Sequence, residues 1–353
     1  MGRGWGVVCI HHRSHRKYPI VVSDMRVFLL ATFIYHVLSI GSQCVSRVSH
    51  VPKIIWYNPT ITWLKGVEWT LDCVDRCELT SQSQSMDTAD AILYERRTGL
   101  ERPYRDATNM HQQWIDYNLE ATLQIGTPMV ADAYDIHMNF STSADIMATY
   151  ATPFVDAARV IDPRSKSIVA MASVFISSCA LSDSHRHRLA IMRIISNRIP
   201  VHSYGKCDRN IFITMVEDTD SFKRADERTR YELLRDEKSN IITRYKFHLA
   251  FENTIEPEYV TEKIFDALNA GTVPVYLGTT DVISYVPRGS YIDVQKFPTL
   301  SLLVDHLKEL DEDDEKYMAY HEWRKHTTDP EWMPSIGMIT SRENAFCRLC
   351  DIL

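Results

Sequence analysis

Residues 245–278 read YKFHLAFENTIEPEYVTEKIFDALNAGTVPVYLG. The stretch opens on an apolar run of strand length, Lys246 to Phe251, and closes on a second, Val273 to Leu277. Between them, Ile264, Phe265 and Leu268 recur at helical spacing within Thr261 to Ala270. Gly271 follows the last periodic residue, where the helix is expected to stop. Strand, helix and strand joined by short connections predict two parallel neighbours in one sheet. Ligands bind such sheets at the carboxyl ends of the strands.

The same alternation extends toward the N-terminus. A strand is predicted over Ile168 to Ile176, then a helix capped by Asp183 or Ser184 with Leu189, Met192 and Ile195 on one stripe. Ile199 to Tyr204 returns as a strand closed by Gly205, and Asp226 to Lys238 reads as a charged helix. Earlier still, Lys53–Tyr57, Ala91–Tyr94 and Gln113–Asn118 read as strands separated by tens of residues, the spacing of an α/β lobe rather than a sandwich. Pro153 to Ser167 is rich in Asp, Arg, Pro and Ser without periodicity and marks a boundary. A chain of 353 residues favours two domains. The expectation is an α/β protein with one domain over 49–160 and a second over 161–353. The tail after Asp311 reads as helical, with Trp323 and Trp332 as packing aromatics.

Thirty-nine basic against 46 acidic side chains give a formal charge of −7, and no interior Lys/Arg block offers a phosphate-tracking groove, so nucleic acid is not an expected partner. Residues 1–48 read as a leader. His11, His12, Arg13, His15, Arg16, Lys17 and Arg26 precede an apolar run from Val27 to Ile40 that contains no Asp, Glu, Lys or Arg. Such a run is shorter than the roughly 20 residues of a full span and suits a cleaved signal peptide or a short signal anchor, with Met25 an alternative start. Export agrees with the cysteines. Four of the eight form close pairs, Cys73 with Cys77 and Cys347 with Cys350, and local disulfides are a simpler reading than zinc because no histidine cluster supports either pair. Asn139-Phe140-Ser141 is an N-glycosylation sequon, whereas Asn58-Pro59-Thr60 is blocked by its proline.

A sugar-nucleotide site needs cations for a pyrophosphate, partners for ribose and base, and a carboxylate for the attacking hydroxyl. Lys263 falls in the first turn of its helix, where backbone N–H groups already favour an anion. Arg188 lies early in another helix that follows a strand, and Asn253, Tyr259 and Glu262 stand near Lys263 in sequence. The Asp-x-Asp matches, Asp218-Thr219-Asp220 and Asp311-Glu312-Asp313, sit in charged connections and read as solvated carboxylates rather than metal ligands.

The run Tyr245 to Asn253, then Tyr259-Val260-Thr261-Glu262-Lys263, then Ala270 to Val275 and Gly278, closely resembles the donor-site signature of the α1,3/4-fucosyltransferases, glycosyltransferase family 10. Weaker resemblance extends from about Cys73 to the C-terminus, and His202 to Cys207 with Cys347-Arg348-Leu349-Cys350 looks most like plant-type members. The resemblance implies a GT-B arrangement of two Rossmann-like domains facing a cleft, with GDP-fucose as donor substrate on the second. Carried over by position, Arg188 and Lys263 would hold the diphosphate, and Tyr204, Asn253, Tyr259 and Glu262 would line the nucleotide and fucose. Trp114 to Glu120 looks like the segment that supplies the base, which puts Glu120 in that role. Ser178 departs from the asparagine of many members. No cofactor is implied beyond the donor, although Mn or Mg would be a stimulatory cation. The acceptor would be a glycoprotein N-glycan or an N-acetyllactosamine-type glycan, in α1,3 or α1,4 linkage. The setting would be the Golgi lumen, with the N-terminal segment as a type II membrane anchor, or secretion after cleavage. Two other classes compete: a noncatalytic sugar-nucleotide or glycan-binding protein, which needs no Glu120, and an interaction protein using the aromatic tail, which predicts no stabilisation by GDP.

Overall fold

The computed structural model describes residues 53–58, 77–95, 111–121, 134–151, 161–167, 169–179, 182–212, 216–334 and 342–353. The leader with its apolar run, Cys73 and most of the Pro153 to Ser167 boundary lie outside them. Among the described residues no helix is long and apolar enough to cross a membrane.

Two parallel sheets organise the unit that spans residues 52–353. The first holds β1 (Lys53–Tyr57), β2 (Cys77–Thr80), β3 (Ala91–Glu95), β4 (Gln113–Asn118), β5 (Ile136–Asn139) and β6 (Ile146–Met147), in the order β2-β1-β3-β4-β5-β6. The second holds β7 (Ala172–Val174), β8 (Val201–Ser203), β9 (Phe247–Phe251), β10 (Val273–Leu277) and β11 (Ile292–Asp293), in the order β11-β10-β9-β7-β8. This is the expected α/β architecture of GT-B type. The predicted strand over 168–176 is shorter than its apolar run and pairs only through Ala172–Val174.

The central strands β9 and β10 are buried along their whole lengths, as parallel strands covered on both faces must be. Pro274 sits inside β10 without breaking it. Val273 donates to the Lys246 carbonyl, just before β9, so the neighbouring Pro274 nitrogen faces the other edge, where β11 pairs only from Val275 onward. Helix α1 (Asp183–Ser196) packs Leu189, Met192 and Ile195 on β7 and β9, and its cap is Ser182 rather than Asp183 or Ser184, because the Ser182 hydroxyl accepts from His185 N–H at 3.2 Å. Short helix α2 (Asp220–Arg224) precedes α3 (Glu227–Ile242), which Asp226 caps. Helix α4 (Glu262–Asn269) connects β9 to β10. It ends where expected, at Gly271 with φ +68°, and a Cβ there would stand 2.4 Å from Ile161. Helices α5 (Leu300–Glu312) and α6 (Asp314–Ala319) cover the second sheet, with Trp323 buried in its core.

The last helix, α7 (Arg342–Ile352), does not stay with the half that precedes it. Its Ala345, Phe346, Leu349 and Cys350 are buried against Ile55, Leu93 and Tyr117 of the first sheet, and the Arg348 guanidinium donates to the Met147 carbonyl. The covalent consequence corrects the expected local pairing. Cys77 of β2 bonds Cys350 of α7 across 273 residues, with Cα atoms 5.7 Å apart. A four-residue spacing such as Cys73 to Cys77 says which cysteines are near in sequence; packing α7 on β2 decides which are near in space. Cys347 is also disulfide-bonded. A second bridge, Cys179–Cys207, ties the loop after β7 to the loop after β8 and joins two cysteines that form no close pair in sequence.

A covalent link that closes so long a loop removes much of the unfolded chain's freedom. Replacing Cys350 by serine should therefore lower the unfolding free energy by about 2–5 kcal/mol, measured as a drop in denaturant midpoint. An unchanged midpoint would show that α7 needs no tether.

Candidate active site

The site is built where β9 ends and α4 begins. Glu252 continues the β9 ladder by donating its N–H to Leu277 at 2.8 Å, and its carboxylate is wholly shielded from solvent. That charge is met by the Thr261 N–H at 2.8 Å, the Thr261 hydroxyl at 2.6 Å and the Lys263 ammonium at 3.1 Å. The Thr261 hydroxyl is turned back toward the strand and accepts from Lys263 at 2.6 Å, so it does not cap the helix that Thr261 starts. The first turn of α4 thus holds a lysine and amides with no side-chain cap.

The electrostatics keep this lysine charged. Burial alone would lower the Lys263 ammonium, but Glu252 and Glu262 outweigh it and hold it above its ordinary value. Glu262 pairs with Lys263 at 3.4 Å. Burial would raise its carboxyl, but Lys263 and then Lys238 bring it down to about 2. Beneath the site, buried His248 is pushed to about 3 by burial, then by Lys238 and Lys263, and its Nδ1 meets the Ser173 hydroxyl at 2.9 Å. A neutral imidazole there adds no competing cation.

Arg188 is 4 % exposed and reaches inward from α1 to the same strand end. Its Nη1 donates to the Phe251 carbonyl and its Nη2 to the Ser178 carbonyl, each at 3.2 Å, while its Nε is buried without a hydrogen-bond partner. Burial pulls the guanidinium down from its usual range, against the opposing charges of Glu252 and Glu262, yet the group stays a cation. Serine at 178 meets Arg188 through its backbone oxygen, so the departure from asparagine does not enter this contact.

Asn253 stands beside Tyr259 and holds a buried Oδ1 with no partner. Tyr259 in turn donates to Glu120 Oε2 at 3.3 Å, and its ring lies 5.2 Å from Phe140. Burial, then Glu120, Glu252 and Glu262, raise the Tyr259 hydroxyl well above its ordinary value, so it remains a donor. Glu120 follows β4, in a turn where its N–H donates to Asn118 Oδ1 at 3.1 Å and its carbonyl accepts from Asn118 Nδ2 at 2.9 Å. The carboxylate of the first half therefore meets the second half through Tyr259, four residues before Lys263.

Tyr204, expected among the donor contacts, belongs to a separate cluster. Its ring stacks on Phe175 at 5.2 Å and its hydroxyl meets that of Tyr245 at 2.5 Å, which in turn meets His202. The adjacent Gly205 is required by close approach, because a Cβ would stand 2.2 Å from the Ile176 carbonyl oxygen. Asn139 of the sequon sits at the carboxyl end of β5 beside Asn118, and its Oδ1 accepts from Ser141 N–H at 2.8 Å. Thr219 and Asp313 of the two Asp-x-Asp stretches cap helices α2 and α6. Among the described residues no group of three or more His, Cys, Asp or Glu is placed to hold a metal ion. Glu252 has no role among the residues expected from the sequence, although it stands inside the quoted run; its signal there is a lone acid at an otherwise apolar strand end.

The site thus joins two parallel α/β halves, with a cation at a helix start of the second and a carboxylate of the first bound to the preceding loop through Tyr259. The family follows from comparison. Residues 164–353 match the profile described as "Glycosyltransferase family 10 (fucosyltransferase) C-term", and residues 50–151 match "Fucosyltransferase, N-terminal". The chain is 30 % identical over 307 residues to an Arabidopsis thaliana alpha-(1,4)-fucosyltransferase, covering 82 % of this chain and 70 % of that one. It is 30 % identical over 264 residues to the Drosophila melanogaster glycoprotein 3-alpha-L-fucosyltransferase A, covering 71 % of this chain and 47 % of that one. The crystal structure of an alpha1,3-fucosyltransferase with GDP-fucose shares the fold at TM-score 0.53 and 17 % identity, covering 78 % and 84 % of the two chains. The chain belongs to glycosyltransferase family 10, the fucosyltransferases.

The depressed Glu262 carboxyl gives a pH test. A carboxyl lowered from 4.5 to about 2 adds stability at neutral pH that is lost as pH falls through that window. Glu262→Gln should therefore lose less stability than the native chain between pH about 5 and about 2, read from urea midpoints. Parallel curves would contradict the pairing of Glu262 with Lys263 and the influence of the Lys238 charge.

Proposed function

We propose that the chain moves L-fucose from GDP-β-L-fucose to a GlcNAc hydroxyl of a glycoprotein glycan, in α1,3 or α1,4 linkage, by one inverting displacement. The observation that carries the mechanism is the Tyr259–Glu120 hydrogen bond, which sets a carboxylate of the first half beside the cationic helix start of the second. The acceptor oxygen attacks the anomeric carbon as the bond to the diphosphate oxygen breaks, Glu120 takes the acceptor proton, and the electron pair leaves with GDP. Lys263, the first-turn amides of α4 and Arg188 meet the charge that grows on the diphosphate. Asn253, with a buried acceptor awaiting a donor, and Glu262 line the nucleotide and fucose. A divalent cation would then stimulate turnover without being a resident cofactor.

The acceptor reading rests on the relatives' names, one an α1,4 enzyme and one a glycoprotein α1,3 enzyme. Incubating the lumenal domain with GDP-fucose and a panel of N-glycans and lactosamine oligosaccharides, then mapping the product linkage, decides it. In the same assay Glu120→Gln should lose about 10²–10⁴-fold in kcat while GDP still raises the melting temperature. Normal transfer by this variant would remove Glu120 from the mechanism.

We also place the catalytic unit in the Golgi lumen, held by the N-terminal segment as a type II anchor. The disulfides that join distant elements support an oxidising compartment. The unit should resist added protease in sealed Golgi vesicles and stay with the membrane in alkaline carbonate. Digestion without detergent would refute the lumenal placement, and release by carbonate would refute the anchor.

A further inference from the structure

Beside Tyr259, a second residue of the same loop crosses to the first half, and no role in the reaction described so far uses it. Glu258 holds φ +63°, a left-handed conformation that is costly for a residue with a Cβ and persists only where its surroundings over-determine it. Those surroundings act on both ends of the residue. Its N–H donates to Asp281 Oδ2 at 2.8 Å, an oxygen that also accepts from the Thr279 hydroxyl at 2.9 Å. Its carboxylate crosses to the loop after β5, where it accepts from the Ser141 hydroxyl at 2.8 Å, the Thr142 N–H at 3.1 Å and the Thr142 hydroxyl at 2.5 Å.

The receiving loop is built for this contact. Asn139 ends β5 and turns the chain by accepting from Ser141 N–H, which presents two hydroxyls and an amide on one side. Residue 139 is the ladder partner of Asn118, and Asn118 closes the turn that holds Glu120. Phe140, between them, packs on the Tyr259 ring. The loop after β5 and the Glu120 turn are therefore adjacent, and both are gripped by consecutive residues of the second half.

We propose that Glu258 is a positioning residue of fucosyl transfer, a latch that fixes the loop 140–143 and the adjoining Glu120 turn against the donor side of the cleft. It touches no reacting atom in this scheme. Its depressed carboxyl, which the Thr142 and Ser141 donors hold down against burial, keeps the acceptor charged at neutral pH. The sequon hydroxyl of Ser141 thereby has a structural use. The proposal rests on the base assignment to Glu120 made above, and the two are separable by experiment.

The test compares Glu258→Gln, the loop variant Ser141→Ala/Thr142→Val, and their combination in the full lumenal unit. Glu258→Gln should lower kcat about ten-fold or more with the Kd for GDP unchanged within about two-fold, and should speed hydrogen exchange at the Thr142 amide. The loop variant should reproduce the loss, and the combination should add little to either, since both cut the same contact. Native kcat in Glu258→Gln, fully additive losses, or a loss of kcat without faster exchange at Thr142 would each overturn it. Should Glu120→Gln retain activity, the base assignment fails on that result alone. The latch is still judged by the exchange and by the coupling of the Glu258 and loop variants.

Discussion

A carboxylate with no solvent cannot stand without partners, and the burial of Glu252 is the constraint on which the site depends. Removing one partner of a buried pair typically costs about 3–5 kcal/mol, far more than an exposed pair contributes. The charge is satisfied only if Thr261 and Lys263 are brought back to the end of β9. That requirement closes the loop 253–260 at both ends and sets the angle at which α4 starts. It also explains Gly278, since a Cβ there would stand 2.9 Å from Glu252 Cγ and 2.2 Å from the Tyr276 hydroxyl. Asn253 and Tyr259 are carried in the loop so fixed.

The same constraint raises a conflict. Lys263 serves Glu252 as counter-ion, yet the proposed chemistry needs it for a diphosphate. An ammonium has three donors in a rotatable head; Glu252 and Thr261 take two, and Glu262, at 3.4 Å, stands at the third. Of these partners Glu262 is the partly exposed one, so a ligand would reach Lys263 on that side, and a diphosphate carries more negative charge than the carboxylate it joins. Burial works against the Lys263 ammonium, and Glu252, first among the opposing charges, outweighs it together with Glu262. The buried acid thus keeps the cation ready.

The second half was legible because its elements are local. The run from Tyr245 to Gly278 carries strand, helix, stop and strand in order, each marked by composition over a few residues. What the sequence did not disclose depends on contacts between distant segments. The spacing of Cys77 and Cys350 points each to its near neighbour, because nothing in it encodes the return of α7 to the first sheet. Tyr204 follows a strand, as a donor contact would, but Phe175 and Tyr245 enclose it. Glu252 and Glu258 are ordinary acids in sequence. One is made singular by complete burial and the other by a positive φ, and neither property can be read from residue type.

The return of α7 has a consequence for the site itself. Tyr117 of β4 is fully buried and its ring lies 5.8 Å from Phe346 of that helix. Glu120 stands three residues beyond Tyr117, in a turn anchored on Asn118, so the strand that presents the carboxylate is packed in place by the last residues of the chain. The first half therefore does not complete its core until α7 has been made and has folded back. The bridge from Cys77 to Cys350 then holds that arrangement covalently. A helix packed on Tyr117 thus bears on the placement of the Glu120 carboxylate.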